Sequence, residues 1–327
     1  MEINFTHSKS KIKTLADAFS RAIMDNELQV GDNLPSINEA SAVYKVSRDT
    51  VFKAYNELKK SGLVDSNPMK GYFVKAEVNQ VLLLLDTYSP FKQNLYNRFI
   101  EHLPENYKVD LLFHQYNKKF FDTIVNESIG RYNMYVVMNF SNTQLSDSLA
   151  KIPKDKLLLL DFGNFEKSGY SFICQDFDES LYQCLETCKS KLKKYRKLSF
   201  VFPDELSHPI SSIDSFLHFC KNEGFEYEIF RKKKDWHGPE KGTVYLCIET
   251  DDMVKIIKEA DAAGLQIGNN VGLIAYNENP ILEVIKNGIT SISIDFGLMG
   301  EKAANFVVSK KPVQEYLPTN IITRKSV

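Results

Sequence analysis

Between residues 11 and 26 the apolar positions Ile12, Leu15, Ala16, Phe19, Ala22 and Ile23 recur at spacings of three and four, which predicts an amphipathic helix. Gly31 and Pro35 break that period, as turn residues do. Ser36, followed three residues later by Glu39, forms a capping-box pair, so a short second helix is expected to begin there. Ser47 can cap a third helix over RDTVFKAYNELKK, with Val51, Ala54, Tyr55 and Leu58 facing inward and Gly62 ending it. Two short extended runs, LVDSN and GYFVKA, flank a polar tip at Asn67-Pro68-Met69-Lys70-Gly71 and predict a small hairpin.

Beyond Ala76 the period changes. Short apolar runs at 81–85, 109–113, 134–140, 157–162, 172–176, 198–202, 243–248, 271–276 and 291–295 read as buried strands. Helix-like stretches fall between them, at 91–103, 118–131, 178–194, 212–222, 251–263 and 297–308. Apolar runs alternating with helices predict parallel sheets covered on both faces. So many strands exceed one five- or six-stranded sheet, and two α/β lobes are expected. The chain therefore divides into a first domain at 1–76 and a second at 77–327.

Composition narrows the function classes. A chain of 327 residues, 43% hydrophobic and 25% charged, is not wholly disordered. No apolar run approaches the roughly 18 residues of a spanning helix, and MEINFTHSKSKIK lacks a signal-peptide core. Five scattered cysteines fit reduced thiols and a cytoplasmic location better than a disulfide framework. A net charge of -1 argues against coating nucleic acid or membrane along the whole length. The charge is uneven, however: residues 1–76 hold eleven basic and nine acidic side chains.

Three helices and a hairpin in that more basic segment describe a winged helix-turn-helix, whose third helix enters the major groove while the wing touches the flanking backbone. The exposed side of the third helix carries Arg48, Asp49, Thr50, Phe52, Lys53 and Asn56. Arg48 can fork onto guanine or phosphate, Thr50 can donate to phosphate, and the amides at Ser47–Asp49 favour an anion. From composition alone a small three-helix domain with a solvated charged face fits equally well. The order of Gly31-Asp32-Asn33-Leu34-Pro35-Ser36, Glu39-Ala40, Ser47-Arg48-Asp49-Thr50-Val51, Ala54, Leu58, Gly62-Leu63-Val64 and Gly71-Tyr72-Phe73-Val74 resembles the DNA-binding domain of the GntR family of bacterial transcription regulators. The resemblance implies double-stranded operator DNA as partner, with Ser36, Asn38, Ser47, Arg48, Thr50, Lys53, Lys70 and Gly71 as the DNA-binding set. Two positions depart from the family: Asn38 stands where arginine is usual, and Met69 replaces the first wing glycine.

In open parallel sheets ligands bind beyond the carboxyl ends of the strands. That rule nominates Asp86-Thr87-Tyr88, Asn139-Phe140-Ser141-Asn142, Asp161-Phe162, Asp176, Glu249-Thr250-Asp251 and Tyr276-Asn277-Glu278. Carboxylates, amides and rings suit a polyhydroxylated ligand, although Asp and Asn at strand ends also cap helices and form turns. The run from Thr250-Asp251-Asp252-Met253 through Gly272-Leu273-Ile274-Ala275-Tyr276-Asn277 to Leu298-Met299-Gly300-Glu301 resembles the LacI/GalR type of effector domain, related to periplasmic sugar-binding proteins. It implies a two-lobed clamp, often homodimeric. Asn277 falls where the family has a cleft aspartate, Thr250 where it has a polar ligand contact, and Ser212 where it has an arginine. The candidate ligand set is Asp86, Tyr88, Phe140, Asp161, Ser212, Thr250, Asp251 and Asn277.

The fold class expected is an α+β winged helix-turn-helix N-terminal domain joined to an α/β two-lobed periplasmic-binding-protein-like domain, the layout of the arabinose repressor family. The function expected is a ligand-responsive bacterial transcription regulator sensing a small-molecule effector, foremost a sugar, with no cofactor, metal or membrane partner. Three alternatives stay open: a non-sugar effector, motivated by Ser212 and Asn277; an enzyme tethered to DNA, with Asp161 or Asp251 as base; and a ligand-free interaction domain. Cys184 and Cys188, four apart, read as packing residues, His208 and His237 as solvated loop residues, and the KSKLKKYRK and RKKK runs as solvated charge.

Overall fold

A computed structural model describes residues 3, 10–25, 27–75, 79–140, 144–161, 167, 169–204 and 208–327. By its contacts the chain divides into two compact units, one formed by 1–85, 103–137 and 147–158, the other by 86–102, 138–146 and 159–327.

The first unit opens with the three expected helices, α1 (Lys11–Met24), α2 (Ile37–Tyr44) and α3 (Arg48–Lys60), followed by β1 (Val64–Asn67) and β2 (Gly71–Val74). The α1 stripe is buried at Leu15, Ala16, Phe19, Ala22 and Ile23, and packs on Val51, Ala54, Tyr55 and Leu58 of α3. β1 and β2 pair antiparallel, Val64 opposite Val74, and Asn33 bridges to Phe73 to extend the wing. At the centre the Tyr55 hydroxyl donates to the carbonyl of Pro35 at 2.9 Å, fastening α3 to the turn that starts α2. Tyr55→Phe is expected to lower stability by about 1 kcal/mol, the usual net worth of one such bond; urea unfolding of the full chain measures it.

The same unit continues with the parallel set β3 (Asn79–Leu85), β4 (Tyr107–Phe113) and β5 (Met134–Met138), with α5 (Lys118–Ser128) between the last two. β3 takes β4 on one side and β5 on the other. The chain thus reverses direction across the sheet after β3, which is where α/β sheets open a crevice. Within this unit Lys156 pairs with Asp25 at 2.6 Å and Lys108 donates to the Ser61 carbonyl at 3.2 Å, so the winged segment rests against the α/β part.

The second unit holds α4 (Pro90–Glu101), β7 (Ser171–Gln175), α6 (Glu179–Leu192), β8 (Lys197–Val201), α7 (Ser211–Glu223), β9 (Glu226–Phe230), β10 (Thr243–Cys247), α8 (Thr250–Ala262), β11 (Val271–Tyr276), β12 (Thr290–Ser293), α9 (Phe296–Ser309), β13 (Gln314–Leu317) and β14 (Asn320–Ile322); β6 (Leu157–Leu160) falls between α4 and β7 in the chain. The larger sheets run β13-β7-β6-β5-β3-β4 and β14-β12-β11-β10-β8-β9. All nine apolar runs are strands. The expectation of wholly parallel sheets needs one correction: β14 pairs antiparallel to β12. β9, β13 and β14 were not foreseen, because EYEIF, QEYL and NII mix exposed and half-buried positions and carry no continuous apolar signal.

The core of the second sheet gathers Leu181, Cys184, Cys188, Leu198, Phe200, Phe216, Phe219, Leu246 and Ile274. Cys184 and Cys188 are therefore packing residues, and burial pushes their thiols up to about 11 and about 12. Below the sheet, Arg324 donates to Glu278 through both terminal nitrogens at 2.9 Å, and the Ser326 hydroxyl accepts from Thr290 N–H at 2.8 Å.

Candidate functional sites

The first candidate site is the outer face of α3 with the wing tip. Ser47 caps α3, accepting from Thr50 N–H at 3.1 Å, and its hydroxyl also bonds the Thr50 hydroxyl at 2.8 Å. This fixes the first turn, where unpaired amides favour phosphate. Ser36 caps α2 through a full capping box, with Ser36 N–H donating to Glu39 at 2.8 Å; these bonds hold the Glu39 carboxyl below the usual range. Arg48 and Asn38 are exposed, while Lys53 is paired to Asp49 at 2.7 Å across one helical turn. At the wing, Gly71 has φ +74°, a left-handed conformation that glycine takes without steric cost, and Lys70 and Met69 lie exposed beside it. Lys59 ties α3 to the wing through Asp65 at 2.9 Å and Ser66 at 2.8 Å. The Lys59 ammonium and the Ser66 amide hold the Asp65 carboxyl down at about 2. The surface offers cations and helix-terminal amides, groups that suit a phosphate.

The second candidate site lies inside the second unit. A cavity of about 80 Å³ is lined by Pro90, Phe91, Thr250, Tyr276, Asn277 and neighbouring residues. An open cleft of about 730 Å³ shares Pro90, Phe91 and Asn279 with it and adds Gln93, Asn94, Glu278, Ser293 and Asp295. Thr250 and Asn277, far apart in the chain, thus meet at one cavity. Asn277 has φ +71°, and its N–H donates to Ile292 at 2.8 Å, so the turn aims its amide past the end of β11. Asp251 is exposed in the first turn of α8 and does not line that cavity.

Asp86, which follows β3, is buried and forms an ion pair with buried Lys92 on α4. Tyr88 is exposed and donates to Gln93 at 3.0 Å, and Phe140 is half-buried. Ser212 is fully buried, and its hydroxyl donates to the Pro209 carbonyl at 2.7 Å. The strand-end residues Ser141, Asn142 and Phe162 lie outside the described residues.

Asp161 follows β6 at φ +50°. The residue is half-buried, yet its Oδ1 is shut off from solvent and has no hydrogen-bond partner among the described residues. Burial pushes its carboxyl up to about 7; Lys92 opposes the shift and Asp86 adds to it. Between about pH 4 and about 7 the folded state then holds a proton that the unfolded chain has released. Stability from this group is complete below that range and is lost as pH rises through about 7. Asp161→Asn removes the dependence, so the variant's melting temperature should gain on the wild type between pH 5 and pH 8. A gap that stays constant with pH would show that Asp161 is not the buried proton site.

His208 corrects the solvated-loop expectation. Its ring packs against Phe177, Phe202 and Tyr276 at centroid distances of 5.1, 5.7 and 4.7 Å. Burial pushes its pKa down to about 3, so it is neutral. Sequence reasoning also missed Gln175, whose amide donates to the Tyr276 hydroxyl at 2.6 Å, and Lys92 and Phe91 on α4. Only the strand-end position of Gln175 gave any signal.

Comparison with known proteins divides the chain in the same order. Residues 11–74 match the model of bacterial regulatory proteins of the gntR family, and residues 191–327 match the periplasmic binding protein-like domain. The chain joins a GntR-type helix-turn-helix domain to a periplasmic-binding-protein-like domain.

The GntR-type domain is 39% identical over 64 residues to the uncharacterized HTH-type transcriptional regulator YcxD of Bacillus subtilis (strain 168), covering 20% of this chain and 14% of that protein. Over 80 residues the chain is 32% identical to the uncharacterized HTH-type transcriptional regulator YhcF of the same organism, covering 24% of this chain and 66% of that one. It thus spans less than two thirds of either relative. The periplasmic-binding-protein-like domain shares its fold with a LacI family transcriptional regulator from Lactobacillus casei with bound glucose (TM-score 0.60, 12% identity, 76% of this chain and 100% of that one). The transcriptional regulator CelR in complex with cellobiose overlaps 90% of this chain and 100% of its own (TM-score 0.61, 13% identity).

In the basic runs outside the GntR-type domain Lys189 pairs with Glu186 and Glu223, Arg196 with Glu226, Lys197 with Glu228, and Arg231 with Asp204. Among the described residues no helix is long and apolar enough to cross a membrane.

Proposed function

We propose that this protein is a ligand-responsive transcription regulator. Its GntR-type domain, bounded near residue 76, binds operator DNA through Ser36, Asn38, Ser47, Arg48, Thr50, Lys53, Lys70 and Gly71. Its second domain, 77–327, senses a small molecule without catalysis, acting as a cytoplasmic homodimer. The observation that carries the reading is the union, in one chain, of a GntR-type domain with an exposed Arg48 face and a domain whose cavity brings Thr250 and Asn277 together. A sugar is the effector class this supports best: the lining pairs amides, hydroxyls and carboxylates with the Phe91 and Tyr276 rings, and the fold is shared with proteins holding glucose and cellobiose. Asp86, Tyr88, Phe140, Asp161, Ser212 and Asp251 are the remaining contacts expected from the sequence; none of them lines the cavity or the cleft, so Thr250 and Asn277 carry the proposal. Serine at 212 and asparagine at 277, where the resembled effector domains carry arginine and aspartate, favour a second reading, a non-sugar metabolite as effector.

Genomic fragments selected by the full chain should bind with affinity that falls steeply with salt, because each phosphate contact releases counterions. A sugar and metabolite screen by thermal shift identifies the effector. If that effector weakens DNA binding, DNA must weaken effector binding by the same factor. A flat salt response, or turnover of the effector, would overturn the reading.

A further inference from the structure

The geometry of α3 assigns Phe52 a base-reading role: we propose that its ring contacts the 5-methyl group of a thymine in the operator. The inference rests on the DNA-binding reading of the GntR-type domain. Arg48, Phe52 and Asn56 follow one another at four-residue spacing, so they share one line of the helix, away from the buried Val51, Ala54, Tyr55 and Leu58. Phe52 is 47% exposed, and among the described residues its ring makes no aromatic contact. A single exposed apolar side chain is ordinary on a protein surface; Phe52 stands out by its place between Arg48 and Asn56 on the helix that a winged module turns to the major groove.

The neighbours indicate what covers it. Exposed Arg48 and Lys60 flank the ring along α3, with Lys53 paired to Asp49 and Glu57 beside it, and the exposed wing adds Lys70. That pattern complements a polyanion. In the major groove the 5-methyl of thymine is the one apolar group on the base edges. Arg48 matches the paired acceptors of guanine, and Asn56 matches the acceptor and donor of adenine. Phe52, between them, can offer only apolar contact, for which thymine is the complement.

The test uses DNA selected by the full-length protein through repeated rounds of binding. Each thymine of the selected site is replaced in turn by deoxyuridine, which removes the methyl and keeps every hydrogen-bonding group. One replacement per half-site should weaken wild-type binding by about fourfold, the loss expected when one methyl leaves an apolar contact. Phe52→Ala should bind the original site more weakly and be indifferent to that replacement, while Phe52→Leu should retain part of the discrimination. Because Phe52 is exposed, both variants should melt with the wild type, so folding and recognition are read separately. The proposal is overturned if the selected site has no thymine whose methyl matters, or if Phe52→Ala loses as much as the wild type on methyl removal. It is also overturned if Phe52→Ala binds the original site as tightly as the wild type and the ring instead drives self-association, seen as a change of mass on substitution. Failure to enrich any DNA would defeat the broader reading instead.

Discussion

Replacing Gly300 by alanine should destabilise the second unit by about 2 kcal/mol, although alanine is the better helix former by about 1 kcal/mol. Gly300 lies inside α9, where that helix crosses α4. A Cβ built there would sit 2.2 Å from the Leu95 carbonyl oxygen and 3.1 Å from the Phe99 nitrogen, both backbone atoms of α4. Backbone cannot swing aside as a side chain can, so the helices must separate. Leu95 and Phe99, both fully buried, would lose packing, as would the Phe91–Phe296 ring contact at 4.6 Å. Gly297, one turn earlier, is the control: its added Cβ would meet the side chains of Asp295, Arg98 and Asn94 at 3.1–3.2 Å, and these can yield. Urea unfolding should therefore give a clear fall in midpoint for Gly300→Ala and a smaller one for Gly297→Ala. Equal stability of Gly300→Ala and wild type would mean that α4 and α9 do not approach this closely. Phe91, which α4 carries into both the cavity and the cleft, ties this packing to ligand affinity, which should fall with it.

Arg48→Ala and Asn277→Ala should give opposite defects. Arg48 is exposed at the start of α3, so truncating it leaves the core of the winged domain intact. If its guanidinium forks onto a base, operator affinity falls by about 1–3 kcal/mol, with ligand affinity of the free protein unchanged. Asn277 lines the cavity at the end of β11, and its amide can both donate to and accept from a hydroxylated ligand. Removing it leaves ligand groups unpaired at a similar cost of about 1–3 kcal/mol, while ligand-free DNA binding persists. Asn277 also occupies a left-handed turn, φ +71°, which alanine tolerates poorly. Asn277→Gly separates the two effects, because it keeps the turn and removes the amide. If Asn277→Gly binds ligand as the wild type does, the cavity contact assigned to Asn277 is wrong.

The GntR-type domain was legible almost residue by residue. The capping pair Ser36–Glu39, the Ser47 cap and the apolar stripes of α1 and α3 are local signals, set by periodicity and by the need of helix ends for partners. The same holds for the strands that are apolar throughout. β9, β13 and β14 escaped because edge and half-exposed strands have no period of their own; pairing with a neighbour defines them.

By itself the sequence determined the order of the helices and of the nine apolar strands, the winged helix, the α/β class of the rest and the face of α3 that meets solvent. Each of these follows from interactions within a few residues or from a continuous apolar run. Only the tertiary structure decided which strand-end polar groups act together. It brought Thr250 to Asn277 at one cavity and consumed the Ser212 hydroxyl on Pro209. It paired Asp86 with Lys92, left one carboxyl oxygen of half-buried Asp161 without a hydrogen-bond partner among the described residues, and packed His208 among rings. The reason is physical: burial and pairing change the free energy of a polar group by several kcal/mol, and both depend on neighbours that are distant along the chain.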